Sequence, residues 1–253
     1  MTDIKLIQKR LLKMAITVRD ILEKENIPYF ITYGTLLGAV RHRGFIPWDD
    51  DFDFYLFDDS YDKALDALRK NLPEDLFLEY FDSEPLYYHG WAHVKDLKSE
   101  VDYSQFPQDG VYAHHGISLD LYRTRFLAAG EENLYRTRKH LEYLDRKKKH
   151  NLISDQEYKE RTSKLKEKEK IEESVIASGN YDKSGIWAFH IIYNDRLTNE
   201  ELFPLKKYDF EGELFYGPNN ADVLLKRCYG DYMKLPPEEK RVPHYGNVKF
   251  IDN

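Results

Sequence analysis

The stretch Tyr33–Tyr55, YGTLLGAVRHRGFIPWDDDFDFY, constrains the fold more than any other part of the chain. From Asp51 to Leu56 polar and aromatic residues alternate, which predicts a strand whose side chains two apart share a face. Phe52 and Phe54 then turn into a core, and Asp51 and Asp53 turn the other way. Asp49 joins them if the strand reaches back that far. Four carboxylates (Asp49, Asp50, Asp51 and Asp53) crowd this strand, and like charges so close cost free energy unless something positive neutralises them. Asp51 and Asp53 are roughly 6–7 Å apart along a strand, so they can grip one metal ion or an adjacent pair. Carboxylate sets of this kind favour hard cations bound through oxygen, chiefly magnesium or manganese, together with substrate phosphates. The bland alternative is an acidic, solvated strand end.

The neighbours of the carboxylates bear on that choice. Tyr29–Thr32 reads as a short strand broken at Gly34, with a short helix from Leu36 to Arg41 behind it. A glycine before a helix lets backbone N–H groups approach a phosphate, and the helix dipole favours the anion. Gly34 and Thr35 are therefore candidate phosphate binders, although such turns often only connect elements. Arg41 and Arg43 are candidate partners for phosphate oxygens, since a guanidinium offers fork geometry. Far downstream, Gly116–Tyr122 (GISLDLY) is a second alternating strand with Ser118, Asp120 and Tyr122 on its polar face. If it lies beside the first, Asp120 completes a three-carboxylate site; otherwise Asp120 is an exposed aspartate on an amphipathic strand.

The rest of the chain frames this centre. Ile4, Ile7, Leu11, Leu12, Ala15, Val18, Ile21 and Leu22 recur at helical spacing, predicting an amphipathic helix over residues 3–25. A further helix is expected from Tyr61 to Leu72, strands at 76–81 and 87–95, and a helix at Ala221–Cys228. Residues 131–175 are dominated by Lys, Glu and Arg with sparse apolar positions, and read as a charged helical hairpin inserted into the domain. It is either a solvated helix pair or a lid or docking surface. His114–His115 are adjacent on a strand and face opposite ways, a structural arrangement. Arg241 and His244 are candidates for facing the site from the tail.

A chain of 253 residues, 42% hydrophobic and 15% aromatic, can bury a substantial core. We read it as one domain over residues 1–253. A net charge of −7 gives no footprint for nucleic-acid binding. The single Cys228 rules out an internal disulfide and a cysteine-based zinc site. No signal peptide and no apolar run long enough to span a bilayer are present, so a cytoplasmic location is expected, with peripheral contact at the inner membrane face.

Taken with YGTLLGAVRHRGFIPWDDDFD, the WAHVK lysine (Lys95), GISLDLY and the C-terminal FPLKKYDFEGELFYGPNNADVLLKRCYGDYMKLPP, the chain resembles the LicD family. This family comprises phosphocholine transferases related to fukutin and fukutin-related protein. The resemblance implies an α/β (α+β) nucleotidyltransferase-like core, a mixed sheet flanked by helices with the charged hairpin inserted. It implies transfer of a phospho-alcohol from a CDP-activated donor to a sugar hydroxyl of a cell-surface glycan, lipopolysaccharide or teichoic acid precursor, free or lipid-linked, with release of CMP. The family's metal aspartates correspond to Asp51 and Asp53, with Asp49 accessory and Asp120 the third carboxylate. Asp120 is the expected base, and Lys95, Arg41 and Arg43 are expected to steady phosphates. CDP-choline is the leading donor; CDP-ribitol, CDP-glycerol, or outright nucleotidyl transfer are the alternatives. Choline would favour an aromatic cage, for which Tyr87, Tyr88, Trp91, Trp187 and Tyr229 are candidates.

Overall fold

The computed structural model describes residues 3–105, 109–188 and 196–251. Helix α1 (Ile4–Lys24) starts at Asp3, whose side chain accepts from Lys5 N at 2.9 Å. It buries Ile7, Leu11, Met14, Ala15, Val18, Ile21 and Leu22, the stripe that the periodicity predicts. Strand β1 (Tyr29–Ile31) leads directly into α2 (Tyr33–His42), and β2 (Asp53–Phe57) follows. Then come α3 (Tyr61–Asn71), β3 (Leu76–Glu79), β4 (Ala92–Asp96) and β5 (Ser99–Val101). The long strand β6 (Ser118–Ala128) precedes the charged hairpin, α4 (Glu132–Lys149) and α5 (Asp155–Ser178), turned at Asn151 with a φ of 57°. The chain ends with β7 (Gly185–Ala188), the one-turn α6 (Asn199–Leu202), the hairpin β8 (Lys206–Phe210) and β9 (Glu213–Gly217), α7 (Ala221–Tyr229) and β10 (Val248–Phe250).

The main sheet is mixed, in the order β1-β2-β6-β4-β3, with β7 added along the far half of β6. Only the β2–β6 pairing among these is parallel; the others are antiparallel. Helices α1 and α3 pack together and against the sheet, while α2 packs on α7 and β8. This is the expected α/β nucleotidyltransferase-like architecture. Phe52 and Phe54 are fully buried, and the β8–β9 hairpin closes over them: the Phe52 ring lies 5.2 Å from those of Phe210 and Phe215. Burying a phenylalanine in such contact contributes about 1.5–3 kcal/mol by area alone. Because that face of β2 is buried, its register is fixed, and the aspartates must emerge on the other side.

Several expected boundaries shift for local reasons. Strand β2 begins at Asp53, not at Asp51, because Asp53 N is taken by Thr35 Oγ1 at 2.9 Å and Phe52 N by Asp51 Oδ1 at 2.8 Å. Helix α2 begins at Tyr33 rather than Leu36, so Gly34–Thr35 forms its first turn. Residues 87–91 form a loop held by Tyr87 OH donating to Trp91 O at 2.5 Å, and only 92–96 is strand. Strand β6 runs past Tyr122 to Ala128, where β7 covers it. Among the described residues, no helix is long and apolar enough to cross a membrane.

Candidate active site

Parallel pairing of β2 with β6 sets Asp53 directly opposite Asp120. Asp120 N donates to Phe52 O at 3.0 Å, which locks the two strand starts together. Asp51 lies just ahead of β2, and its carboxylate oxygen, with one from Asp53 and one from Asp120, forms a group whose members are all within 4.8 Å of one another. Burial and the other aspartates hold the Asp53 carboxyl well above the usual range. Burial raises Asp51 as well. Asp120 is pushed up to about 8 by burial and then by Asp51, against the pull of the Tyr122 hydroxyl and Lys95. Three carboxylates so close favour keeping protons unless a cation joins them. Three oxygen donors on adjoining strands fit magnesium or manganese, which take carboxylate oxygen and share their remaining positions with phosphate or water.

Asp49 and Asp50 belong to a neighbouring group with His244. Asp50 is fully buried, and its oxygens accept from His244 N at 2.8 Å, His244 Nδ1 at 3.1 Å and Tyr245 N at 2.8 Å. Both oxygens are thus spent on pinning the C-terminal tail to the site. The same hydrogen bond pushes His244 up to about 9, so an imidazolium stands beside Asp51. Burial and Asp51 push Asp49 up to about 7. Asp49 groups with Asp50 and His244 and not with the triad, so it does not extend the strand face as simple alternation expects; the backbone before Asp53 is not strand.

The remaining expected residues divide by position on α2. Gly34 and Thr35 lie in its first turn, next to the carboxylates. A Cβ on Gly34 would stand 2.6 Å from Asp49 Oδ2, so only glycine admits that carboxylate against the helix start. Tyr33 adopts a left-handed φ of 44° just before it, a strained conformation held by the buried contact between the Tyr33 and Tyr55 hydroxyls. Arg41 and Arg43 sit at the opposite end of the helix, about 10–15 Å away at 1.5 Å per residue. Arg41 donates to Tyr232 O at 2.5 Å, and Arg43 is exposed, its carbonyl accepting from Glu211 N at 2.8 Å. Neither lines the cleft in front of the triad.

That cleft measures about 220 Å³ and is lined on one side by Asp51 and Asp120, on another by Lys95, Tyr103 and His93, and at its mouth by His244. Lys95 is buried, donates to Tyr103 OH at 2.6 Å and stands 3.8 Å from Glu79. Sequence reasoning passed over His93, Glu79 and Tyr122. His93 lies opposite Asp120 on β4, with Nε2 at 3.3 Å from Asp120 Oδ1 and Nδ1 at 3.0 Å from the fully buried Glu79. Tyr122 OH donates to Asp120 Oδ2 at 2.7 Å. Both oxygens of Asp120 are thereby oriented. Burial lowers the His93 pKa well below its ordinary value and raises Glu79 to about 7. A signal for His93 was present: in WAHVK it is two residues from Lys95 and so shares its face.

Of the cage candidates, Trp91 lines the cleft, and Tyr87 lies behind it against His93 at 5.6 Å between ring centroids. Tyr88 packs on Tyr112 and Tyr143. Trp187 packs edge-on against Phe57 and at a tilt against Phe126, and Tyr229 is exposed on α7; neither lines the cleft.

Comparison with known proteins agrees with this geometry. Residues 26–115 match the nucleotidyltransferase domain of the LicD/FKTN/FKRP family. The chain is 29% identical over 259 residues, 90% of its own length and 91% of the relative's, to a lipopolysaccharide cholinephosphotransferase, LicD, of Haemophilus influenzae. Two uncharacterized proteins, of Rickettsia prowazekii and Rickettsia typhi, are each 65% identical over 34 residues, which is 13% of this chain and 13% and 11% of theirs.

Proposed function

We propose that this chain, which matches the LicD/FKTN/FKRP family over residues 26–115 and is 29% identical over 90% of its length to a lipopolysaccharide cholinephosphotransferase, moves phosphocholine from CDP-choline to a sugar hydroxyl of a cell-surface glycan precursor, with release of CMP. The observation that carries the proposal is the grouping of Asp51, Asp53 and Asp120 at the start of a parallel strand pair, with Asp51 and Asp120 lining a cleft that also holds Lys95 and His93. In this reading the acceptor oxygen bonds to the phosphorus that bears choline. The bond from that phosphorus to the bridging oxygen breaks, CMP leaves, and the acceptor proton passes to a carboxylate oxygen of Asp120. Asp51, Asp53 and Asp120 would hold magnesium or manganese, which supplies positive charge to the pyrophosphate when bound. Lys95 and the His244 imidazolium add fixed positive charge on the phosphate side. His93, backed by Glu79, holds Asp120 in one orientation, as a carboxylate–imidazole pair does for a metal ligand. Gly34 offers the N-terminal turn of α2 to a phosphate, and Thr35 fixes the start of β2.

The test is incubation with magnesium, a glycan acceptor and, separately, CDP-choline, CDP-ribitol, CDP-glycerol and CTP. CMP from CDP-choline alone supports the proposal. CMP from another CDP-alcohol moves the donor assignment, and pyrophosphate from CTP makes the protein a nucleotidyltransferase. Turnover of none of them removes the proposal.

A further inference from the structure

The charged hairpin is not a free-standing pair of solvated helices. On α4, Tyr135, Lys139, Glu142, Tyr143 and Arg146 follow one helical face, and all five line a second cavity of about 370 Å³. The opposite wall comes from Tyr61, Tyr87 and Trp91 of the core. Arg146 Nε donates to Tyr88 O at 2.8 Å, which seats α4 against the 87–91 loop. The volume falls within the roughly 300–1,000 Å³ typical of small-molecule sites. The cavity adjoins the carboxylate cleft, since His89 and Trp91 line both. The Trp91 ring lies 5.2 Å from that of Tyr122, whose hydroxyl holds Asp120. The second cavity therefore meets the carboxylate cleft at His89 and Trp91, with Trp91 and Tyr122 between it and Asp120.

The lining identifies the class of ligand. Three cations (Arg123, Lys139 and Arg146) face the cavity together with three anions (Asp62, Asp82 and Glu142). With charges of both signs balanced, the lining offers no net attraction to a nucleotide's phosphates or to a quaternary ammonium, since each would meet like charges as well as opposite ones. A neutral polyol meets neither penalty: its hydroxyls accept from one set and donate to the other, and its C–H faces lie on aromatic rings. We infer that this second cavity, walled by α4, binds the sugar of the acceptor glycan. The inference rests on the transferase reading for the identity of the sugar as acceptor, and on the cavity's own lining for sugar binding.

The experiment separates the two. Methyl glycosides of glucose, galactose and N-acetylgalactosamine are offered to metal-free protein without donor, and saturation-transfer NMR reads binding. Wild-type protein should saturate the protons of at least one glycoside. Tyr143→Ala should weaken that signal at least fivefold and Lys139→Ala about threefold, with unchanged circular dichroism. Asp53→Asn, choline chloride and CMP should leave it unchanged. In the transfer assay, Tyr143→Ala should raise KM for the acceptor about tenfold and leave KM for the donor as it is. No saturation of any glycoside, displacement by choline or CMP, or an acceptor KM unmoved in Tyr143→Ala overturns the inference even if turnover is robust. Saturation lost on Tyr143→Ala in a protein that turns over no CDP-alcohol keeps the sugar site and rejects the transferase reading instead.

Discussion

Asp53 is the residue in which fold and chemistry meet. It opens β2, faces Asp120 across the parallel pairing, and is buried. Asp53→Asn should lower turnover by roughly two to three orders of magnitude, because one anionic ligand for the phosphate-side cation is gone. The same change should raise the melting temperature of metal-free protein at pH 8, since a buried charge held by neighbouring like charges is removed. Full activity in this variant would remove the triad as the site. Thr35→Val tests a structural part: Asp53 N loses its 2.9 Å acceptor and stays buried, which should cost about 1–3 kcal/mol in urea denaturation. Gly34→Ala sets a methyl 2.6 Å from Asp49 Oδ2. It should cost about 1–3 kcal/mol and reduce turnover, through displacement of the Asp49 carboxylate. Gly34→Ala with wild-type stability and kinetics would show that the helix start has room to give. At this scale the sequence was informative about residue types and poor about partners. Crowding singled out the aspartates and alternation picked Asp51 and Asp53 from them, but nothing local showed that the oxygens of Asp50 are consumed by the tail.

Elements whose signal is a repeat were legible. Helix α1 follows its 3.6-residue stripe within a residue at either end; α4 falls within the charged segment 131–175 read as a hairpin, and α5 starts within it and ends at Ser178. The alternation of DFDFY correctly sent Phe52 and Phe54 inward, and Phe52→Ala should cost about 3–5 kcal/mol of stability because the Phe210 and Phe215 rings cannot collapse into the space. A loss under 1 kcal/mol in denaturant unfolding would mean that the β8–β9 cover is loose. Boundaries set by side-chain hydrogen bonds were not legible. The start of β2 depends on Thr35 and Asp51 intercepting backbone N–H groups, and no periodicity records such a contact. Composition left α4 as either a solvated face or a lid or docking surface; the cavity at its Tyr135–Arg146 face appears only when the 87–91 loop is brought opposite.

On the scale of the molecule, proton binding and stability are coupled. Asp120 and Asp49, raised to about 8 and 7 from the ordinary value near 4, bind more protons folded than unfolded over that interval, so their contribution to stability falls as pH rises through it. His244, raised to about 9, has the same sign above pH 6.5: its stabilising contribution is lost as pH rises through 9. His93 opposes them only below its ordinary value, because burial lowers it. Metal-free protein should therefore lose melting temperature from pH 6 to pH 9, and millimolar magnesium or manganese should restore more of it at pH 8 than at pH 6. A flat profile, or a metal effect independent of pH, contradicts this linkage.

Sequence by itself determined the helical and strand stripes, the inward phenylalanines and the presence of a crowded carboxylate strand, because periodicity and like-charge density are local properties. It also carried the family resemblance, through motifs spread along most of the chain. Tertiary structure alone decided which aspartates meet, since Asp53 and Asp120 become neighbours only through β2–β6 pairing. The sequence offered His244 as a tail residue facing the site, and tertiary structure supplied the contacts that hold it there, with β10 paired to β5 and Asp50 accepting from His244 and Tyr245. Tertiary structure also took Arg41 and Arg43 out of the cleft, because a helix starting at Tyr33 carries its last turn away from the carboxylates, where Arg41 donates to Tyr232 O. Contacts between residues distant in sequence depend on strand order and helix direction, and neither is written in any local pattern.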